Sequence, residues 1–513
     1  MQCSALSRRA FLAGASFAAL GLRSSSLFAL AATSPRTVHI PLGTLLGEQA
    51  AGVSIFRGVP FAEPPVGPLR FRPPVPAQRW QGTRDATRFS AEAMQARALE
   101  DVRQSEDCLY LNVWAPQGKG PFPVYVWIHG GGFTDGRSFS PMFDGTEMAR
   151  SGIVCITVAY RLGVLGFLDV ESLLGAGYAG SANNGLRDIM MALRWVQENV
   201  AAFGGDPSRV TIGGESAGAK LTDTLLGIPE AQPLFHQGIS ESGGAERVWD
   251  RAESAAVAHG YGELWRKSEG DPVSALATAP AASLIQVQRQ FMATWPKHFP
   301  LRPEVDGELL PRLPVTTIAA GSSRGKRLLI GTNRDESALF IGPDPNQDPG
   351  ANQLGNLPVA RFDKVLDEYK RVDPEMTEAQ RRIRATTAEE YWVPSIRVAD
   401  AFLEGGGTAW MYMLDFAESS GRLRDLAFHS LDLRLVWDHP SAKIANKAAE
   451  AALADRMSDA WKAFLRGEAP NAKGLPKWPE YRSGTRPTMM LNTRSRVEQA
   501  PQEAELRLWD GIL

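Results

Sequence analysis

Hydrophobic positions along this chain follow two periods. Nearly continuous apolar runs occur at Phe122 to Ile128, at Ile153 to Tyr160 and in Arg327-Leu328-Leu329-Ile330. An exposed sheet face would place a polar residue at every second position, so these runs predict strands covered on both faces. Leu186, Met190, Leu193, Val196 and Val200 recur at helical spacing and predict an amphipathic helix from Leu186 to Phe203. Val210-Thr211-Ile212 is β-branched and predicts a short strand, and Ala217 to Leu226 contains good helix formers. Strand and helix alternate through residues 122–242, which predicts an α/β architecture: a large, mostly parallel central sheet flanked by helices.

The rest of the chain fits around that sheet. Val38 to Arg57 predicts a small antiparallel hairpin, and Glu106 to Trp114 a strand. The prolines between Phe56 and Phe71 exclude a regular helix or a central strand there. Phe56, Phe61, Leu69 and Phe71 need burial, so this stretch predicts a rigid, ordered loop. Residues 250–325 and 345–405 carry more charge and helical periodicity. They predict helical insertions that cover the sheet edge or cap a cleft, not separate domains. Trp410 to Leu414 predicts a late strand. Ala445 to Arg466 predicts a helix with Met457, Trp461 and Phe464 on one face. Residues 32–513 therefore read as a single domain.

Composition narrows the picture. The 513 residues are 44% hydrophobic and 22% charged, with a formal net charge of −2, an ordinary balance for a globular protein. No basic patch points to nucleic acid or to an anionic membrane surface. Ser7-Arg8-Arg9-Ala10-Phe11-Leu12 precedes a weakly apolar run to Leu22, Ala29-Leu30-Ala31 offers small residues for cleavage, and no acid occurs before Glu48. This pattern predicts a twin-arginine-type export signal over residues 1–31, cleaved after Ala31, and a periplasmic or secreted product. The apolar run is too short to span a bilayer, which takes about 20 residues, so no stable membrane insertion is expected after cleavage. Cys3 falls in the leader. Cys108 and Cys155 remain, too few for a disulfide framework.

The candidate chemistry centres on Gly214-Glu215-Ser216-Ala217-Gly218. A Gly-x-Ser-x-Gly between a strand and a helix is the context of a nucleophile elbow. The glycines let the helix leave close to the strand, and the first amides of that helix point at the reacting centre. Upstream, the strand ending at Ile128 runs into His129-Gly130-Gly131-Gly132-Phe133. A glycine loop at a strand end can turn backbone amides toward a developing oxyanion. No Lys-Ser/Thr pair follows, which argues against a phosphate loop. His129 reads as a structural hydrogen-bonding residue. A serine nucleophile needs a base, and of the seven histidines chain order selects a late one. That leaves His429, after the Trp410–Leu414 strand, and His439. The orienting acid follows the apolar run at 327–330, where Asp335 and Glu336 both remain open.

At this point the chain resembles the type B carboxylesterase family. Phe203 to Gly218 resembles its serine signature, and Glu106 to Pro116 its second signature. Phe56 to Phe71, His129 to Phe133, Asn183 to Asp188 and Trp478-Pro479-Glu480-Tyr481 are similar as well. The resemblance implies an α/β-hydrolase fold with helical insertions over an active-site gorge. It implies a triad of Ser216, Glu336 and His429, because Gly331 to Glu336 and Phe428 to Asp432 resemble the family's acid and histidine segments. It implies an oxyanion hole at Gly131, Gly132 and Ala217, with Glu215 and Ser242 as supporting buried polar groups. A small-molecule ester is the implied substrate, and no metal or organic cofactor is implied. Amide or carbamate hydrolysis on the same fold and a non-catalytic binding relative are the alternatives. Many relatives pair the cysteine at 108 with one upstream, yet none lies between 32 and 107, so Cys108 is expected to be a free thiol. No Trp occurs from Gln81 to Asp107, which argues against cation–π capture of choline there. Ile189 stands where glutamine is common, with no expected effect on the chemistry.

Overall fold

The computed structural model describes residues 34–97, 102–341, 357–438 and 447–513. The predicted leader with its cleavage position, and His439, lie outside these residues.

Three antiparallel strands open the fold: β1 (Ser34–Ile40), β2 (Gly43–Ala50) and β3 (Val53–Pro60). The predicted hairpin is thus extended by a third strand. The Phe56–Phe71 stretch is partly a strand, because β3 runs to Pro60 and pairs with β4 (Tyr110–Pro116) across an irregularity between Phe56 and Val59. Pro60 is the last residue of β3, where its missing N–H disturbs the ladder least. Beyond it the chain is irregular apart from a short 3₁₀ turn at Gly67–Leu69, and Phe61 and Phe71 are buried as expected.

Then come β5 (Phe122–Ile128), β6 (Val154–Val158), β7 (Gly205–Glu215), β8 (Gln237–Glu241), β9 (Arg327–Asn333), β10 (Thr408–Leu414) and β11 (Pro487–Leu491). Neighbours within this group are parallel. β12 (Arg496–Gln499) closes the edge antiparallel. The order across the sheet is β1-β2-β3-β4-β6-β5-β7-β8-β9-β10-β11-β12, with Thr83–Asp85 as a short side strand on β2. The mostly parallel sheet with flanking helices is the α/β-hydrolase architecture.

This order positions the site. From β5 the chain steps one way to β6, and from the adjacent β7 it steps the other way to β8. In open α/β sheets such a reversal leaves a crevice at the carboxyl ends of the two strands, where ligands bind. Ile128 pairs with Gly214, so the glycine loop and the Ser216 turn leave the sheet side by side.

Strand side chains alternate between two cores, as a sheet covered on both faces requires. Val124, Val126 and Ile128 face one side, with α1 (Asn184–Asn199) and α2 (Ala217–Leu226) packed there. Tyr125 and Trp127 face the other, with Met457, Trp461 and Phe464 of the helix Lys447–Leu465. The predicted helix from Leu186 begins two residues earlier, and its end tightens into a 3₁₀ turn at Val200–Phe203. The insertions are helical as predicted. The first holds Arg251–Glu269 and Ala281–Thr294. The second holds Val359–Val372, Glu378–Thr387, a π-helical turn at Ala388–Trp392 and Val393–Glu404.

Candidate active site

Ser216 sits between β7 and α2 with φ 57° and ψ −124°, outside the conformations an L-residue readily adopts. Strain of this kind, of order 1–3 kcal/mol, persists only where surrounding structure enforces it. Here the enforcement is backbone contact. The Ser216 amide donates to the Glu241 carbonyl at 2.9 Å, and the Lys220 amide donates to the Ser216 carbonyl at 2.9 Å. A Cβ on Gly218 would lie 2.0 Å from the Ile128 carbonyl oxygen, and one on Gly214 would lie 2.4 Å from the same atom. The glycines are therefore required by the close approach of α2 to β5.

A cavity of about 430 Å³ opens at this turn. Gly131, Gly132, Glu215, Ser216, Ala217 and His429 all line it. Gly131 and Gly132 have φ of 117° and 62°, and a Cβ on Gly131 would lie 2.0 Å from the Asp135 carbonyl oxygen. Ala217 is the first residue of α2, where amides have no intrahelical acceptor. The three predicted oxyanion positions thus meet at one cavity. The insertions add Met292 and Phe299 from the first and Glu390 and Tyr391 from the second to its walls.

Glu336 and His429 come from separate loops, after β9 and after β10. His429 Nδ1 lies 2.6 Å from Glu336 Oε2. The other oxygen, Glu336 Oε1, accepts from Ser242 Oγ at 2.5 Å and from the Asn333 amide at 2.6 Å. The neighbouring Asp335 is turned elsewhere, accepting from the Ala427 amide at 3.0 Å and pairing with Arg334 at 2.9 Å. His129 is buried, stacked on Tyr160 at 4.5 Å, with burial lowering its imidazole to about 4, consistent with a structural residue.

His429 Nε2 faces Glu215 Oε1 at 3.2 Å, and Ser430 Oγ donates to the same oxygen at 2.5 Å. Among the described residues no hydrogen bond joins Ser216 Oγ to Nε2. Burial works to lower the His429 imidazole, but the carboxylates of Glu215 and Glu336 outweigh it and the net shift is upward. Burial raises Glu215 to about 7, against the opposing pull of His429. Glu215 is thus a direct neighbour of the imidazole and not only a support behind the serine. Sequence reasoning missed Ser430, whose only local signal is its place beside His429. It also missed Lys220, Arg247, Glu390 and Tyr391, which are scattered along the chain. Cys108 and Cys155 are both unpaired and buried. Among the described residues no group of three or more His, Cys, Asp or Glu side chains is arranged to hold a metal ion. No described helix is long and apolar enough to cross a membrane.

The carboxylesterase family matches the chain over residues 34–509. Para-nitrobenzyl esterase of Bacillus subtilis (strain 168) is 35% identical over 484 residues, covering 90% of this chain and 95% of that protein. Fumonisin B1 esterase of Sphingopyxis macrogoltabida is 34% identical over 469 residues, covering 86% of this chain and 84% of that protein. Among solved structures, a PNB esterase superposes with a TM-score of 0.81 at 33% identity, covering 92% of this chain and 99% of that one. The Geobacillus stearothermophilus carboxylesterase EST55 gives the same TM-score of 0.81, also at 33% identity and with the same coverage. An elbow serine beside a glycine loop at the sheet's reversal point, matched along nearly the whole described chain by relatives of this kind, leads to one conclusion: the chain belongs to the carboxylesterase family and is a carboxylic ester hydrolase.

Proposed function

We propose that this esterase works through an acyl-enzyme on Ser216, with His429 as general base and Glu336 as the acid that orients it. The observation that carries the reading is the 2.6 Å contact between His429 Nδ1 and Glu336 Oε2, at the cavity Ser216 also lines. An ionised carboxylate only accepts, so the proton of the neutral imidazole sits on Nδ1 and Nε2 is the basic nitrogen. Substrate binding draws Ser216 Oγ onto Nε2, as catalytic hydrogen bonds often tighten only in the complex. Oγ attacks the ester carbonyl carbon while Nε2 takes its proton. The oxyanion rests on the amides of Gly131, Gly132 and Ala217. The alcohol leaves with the proton from Nε2. Water, deprotonated by the same nitrogen, then attacks the acyl carbonyl and frees the acid and Ser216.

Para-nitrophenyl acyl esters from C2 to C12 test this with residues 32–513 and a Ser216→Ala control. The control is expected to lose about 10⁶-fold in kcat, and the preferred chain length sizes the acyl pocket. Substantial turnover by a homogeneous Ser216→Ala preparation refutes the reading. A matched amide in the same assay separates ester from amide preference. The Arg8-Arg9 leader supports export by a twin-arginine route with cleavage after Ala31, as a second, independent proposal.

A further inference from the structure

One wall of the cavity carries charge that the hydrolysis above does not use. Lys220, one turn beyond Ser216 on α2, is 6% exposed, Arg247 is 5% exposed, and both line the cavity. They converge on Glu390 of the π-helical turn. Lys220 Nζ lies 3.2 Å from Glu390 Oε1, and Arg247 Nε donates to that oxygen at 2.9 Å while its other arm meets Oε2. Arg302 and Glu389 are buried in the same cluster and act on these groups. Asp223 also acts on Lys220, but it accepts from Ser240 Oγ at 2.8 Å and from the Gly244 amide at 2.7 Å and does not line the cavity. The wall itself therefore holds two cations and one carboxylate; Lys220 Nζ also donates to the carbonyls of Gly243 at 2.9 Å and Glu390 at 3.2 Å, so it acts on a ligand through its charge and not through a spare N–H. Taking a cation out of water costs several kcal/mol, and a buried ion cluster is weak evidence for stability. Burial holds the Lys220 ammonium well below its ordinary range, a penalty that an incoming anion relieves.

Two aromatic side chains connect this wall to the reacting groups. The Tyr391 ring is 4.9 Å from the His429 imidazole and 4.7 Å from Lys220 Nζ. The Phe299 ring is 5.4 Å from the Arg247 guanidinium, and a Cβ on Gly132 would lie 2.7 Å from it. An acyl chain held on Ser216 thus has an apolar path, along Tyr391 and Phe299, that ends at two cations.

The geometry points to Lys220 and Arg247 as the anchor for a free carboxylate at the far end of the acyl chain, so that half-esters of dicarboxylic acids are the preferred substrate class. This rests on Ser216 being the nucleophile of the same cavity. A close opposite charge in a desolvated site discriminates by about tenfold or more. In a pH-stat assay, monoethyl adipate is expected to exceed ethyl hexanoate in kcat/KM by about tenfold. Lys220→Met is expected to erase most of that ratio, and the ratio cancels any general loss of active enzyme. If the variant does not fold, the wild type still decides: free adipate is expected to inhibit ethyl hexanoate hydrolysis at about one-tenth the concentration of hexanoate. Equal or better turnover of the neutral ester, with no advantage for adipate as inhibitor, overturns the inference and leaves the Ser216 reading standing. Failure of both esters with folded enzyme removes that reading and this inference together.

Discussion

Replacing Glu215 by Gln separates an electrostatic role from a packing one. Glu215 Oε1 lies 3.2 Å from His429 Nε2 and accepts from Ser430 Oγ at 2.5 Å. Glutamine keeps the shape and the acceptor oxygen for Ser430 but removes the charge. Of the groups that hold the imidazole above its ordinary 6.5, Glu215 is the strongest. In the proposed mechanism the general base works neutral, so activity is lost as pH falls through a value raised above 6.5, and the wild-type acid limb of kcat/KM is expected above that pH. An opposite charge at close range moves a pKa by about 1–3 units. Burial raises Glu215 itself to about 7, so it bears only part of its charge where His429 titrates, and the low end of that range applies. Glu215→Gln is therefore expected to move the acid limb down by about one unit, equivalent to about 1.4 kcal/mol. The same charge stabilises the imidazolium formed in the transition state, so the plateau rate is expected to fall by about tenfold. The assay is kcat/KM for a neutral ester from pH 5 to 9, with circular dichroism as a check on folding. A lower plateau with an unmoved limb, or a limb moved to higher pH, refutes the electrostatic role.

Gly218→Ala tests the elbow's packing. Alanine favours helix over glycine by about 1 kcal/mol, yet its Cβ would lie 2.0 Å from the Ile128 carbonyl oxygen and 2.8 Å from that of His129. Both are backbone atoms with little freedom to yield, so a loss of about 3 kcal/mol or more is expected in denaturant unfolding, and unchanged stability counts against the close-packed elbow. Export is checked by expressing the full chain and sequencing the N-terminus of the periplasmic or secreted product. Ala32 is expected first, and an Arg8→Lys, Arg9→Lys double variant is expected to stay in the cytosol. A product that keeps residues 1–31, or export indifferent to the double variant, refutes the leader reading.

The sequence alone was enough to place the strand–turn–helix at Ser216. Gly214 to Gly218 and its flanks carry their own structural instruction: a β-branched strand, two glycines that permit contact, and a helix that includes several strong formers. The parallel sheet was legible for the same reason, since strands covered on both faces leave unbroken apolar runs. Boundaries were less so. The hairpin became three strands because Val53 to Pro60 finds its partner in Tyr110 to Pro116, about fifty to sixty residues further along the chain. Local pattern records the period of a segment but not its distant neighbour. The resemblance favoured Glu336, but the residues alone left it equal to Asp335. The two carboxylates are adjacent and chemically alike, and only tertiary packing turns one to His429 and the other to Ala427 and Arg334. The cationic wall lay further out of reach. Lys220, Arg247 and Glu390 stand on a helix, a loop and a π-helical turn, with up to 170 residues between hydrogen-bonded partners. Each reads in sequence as an ordinary surface charge. Their convergence depends on how the insertions close over the carboxyl end of the sheet, and that is decided by the packing of the whole fold.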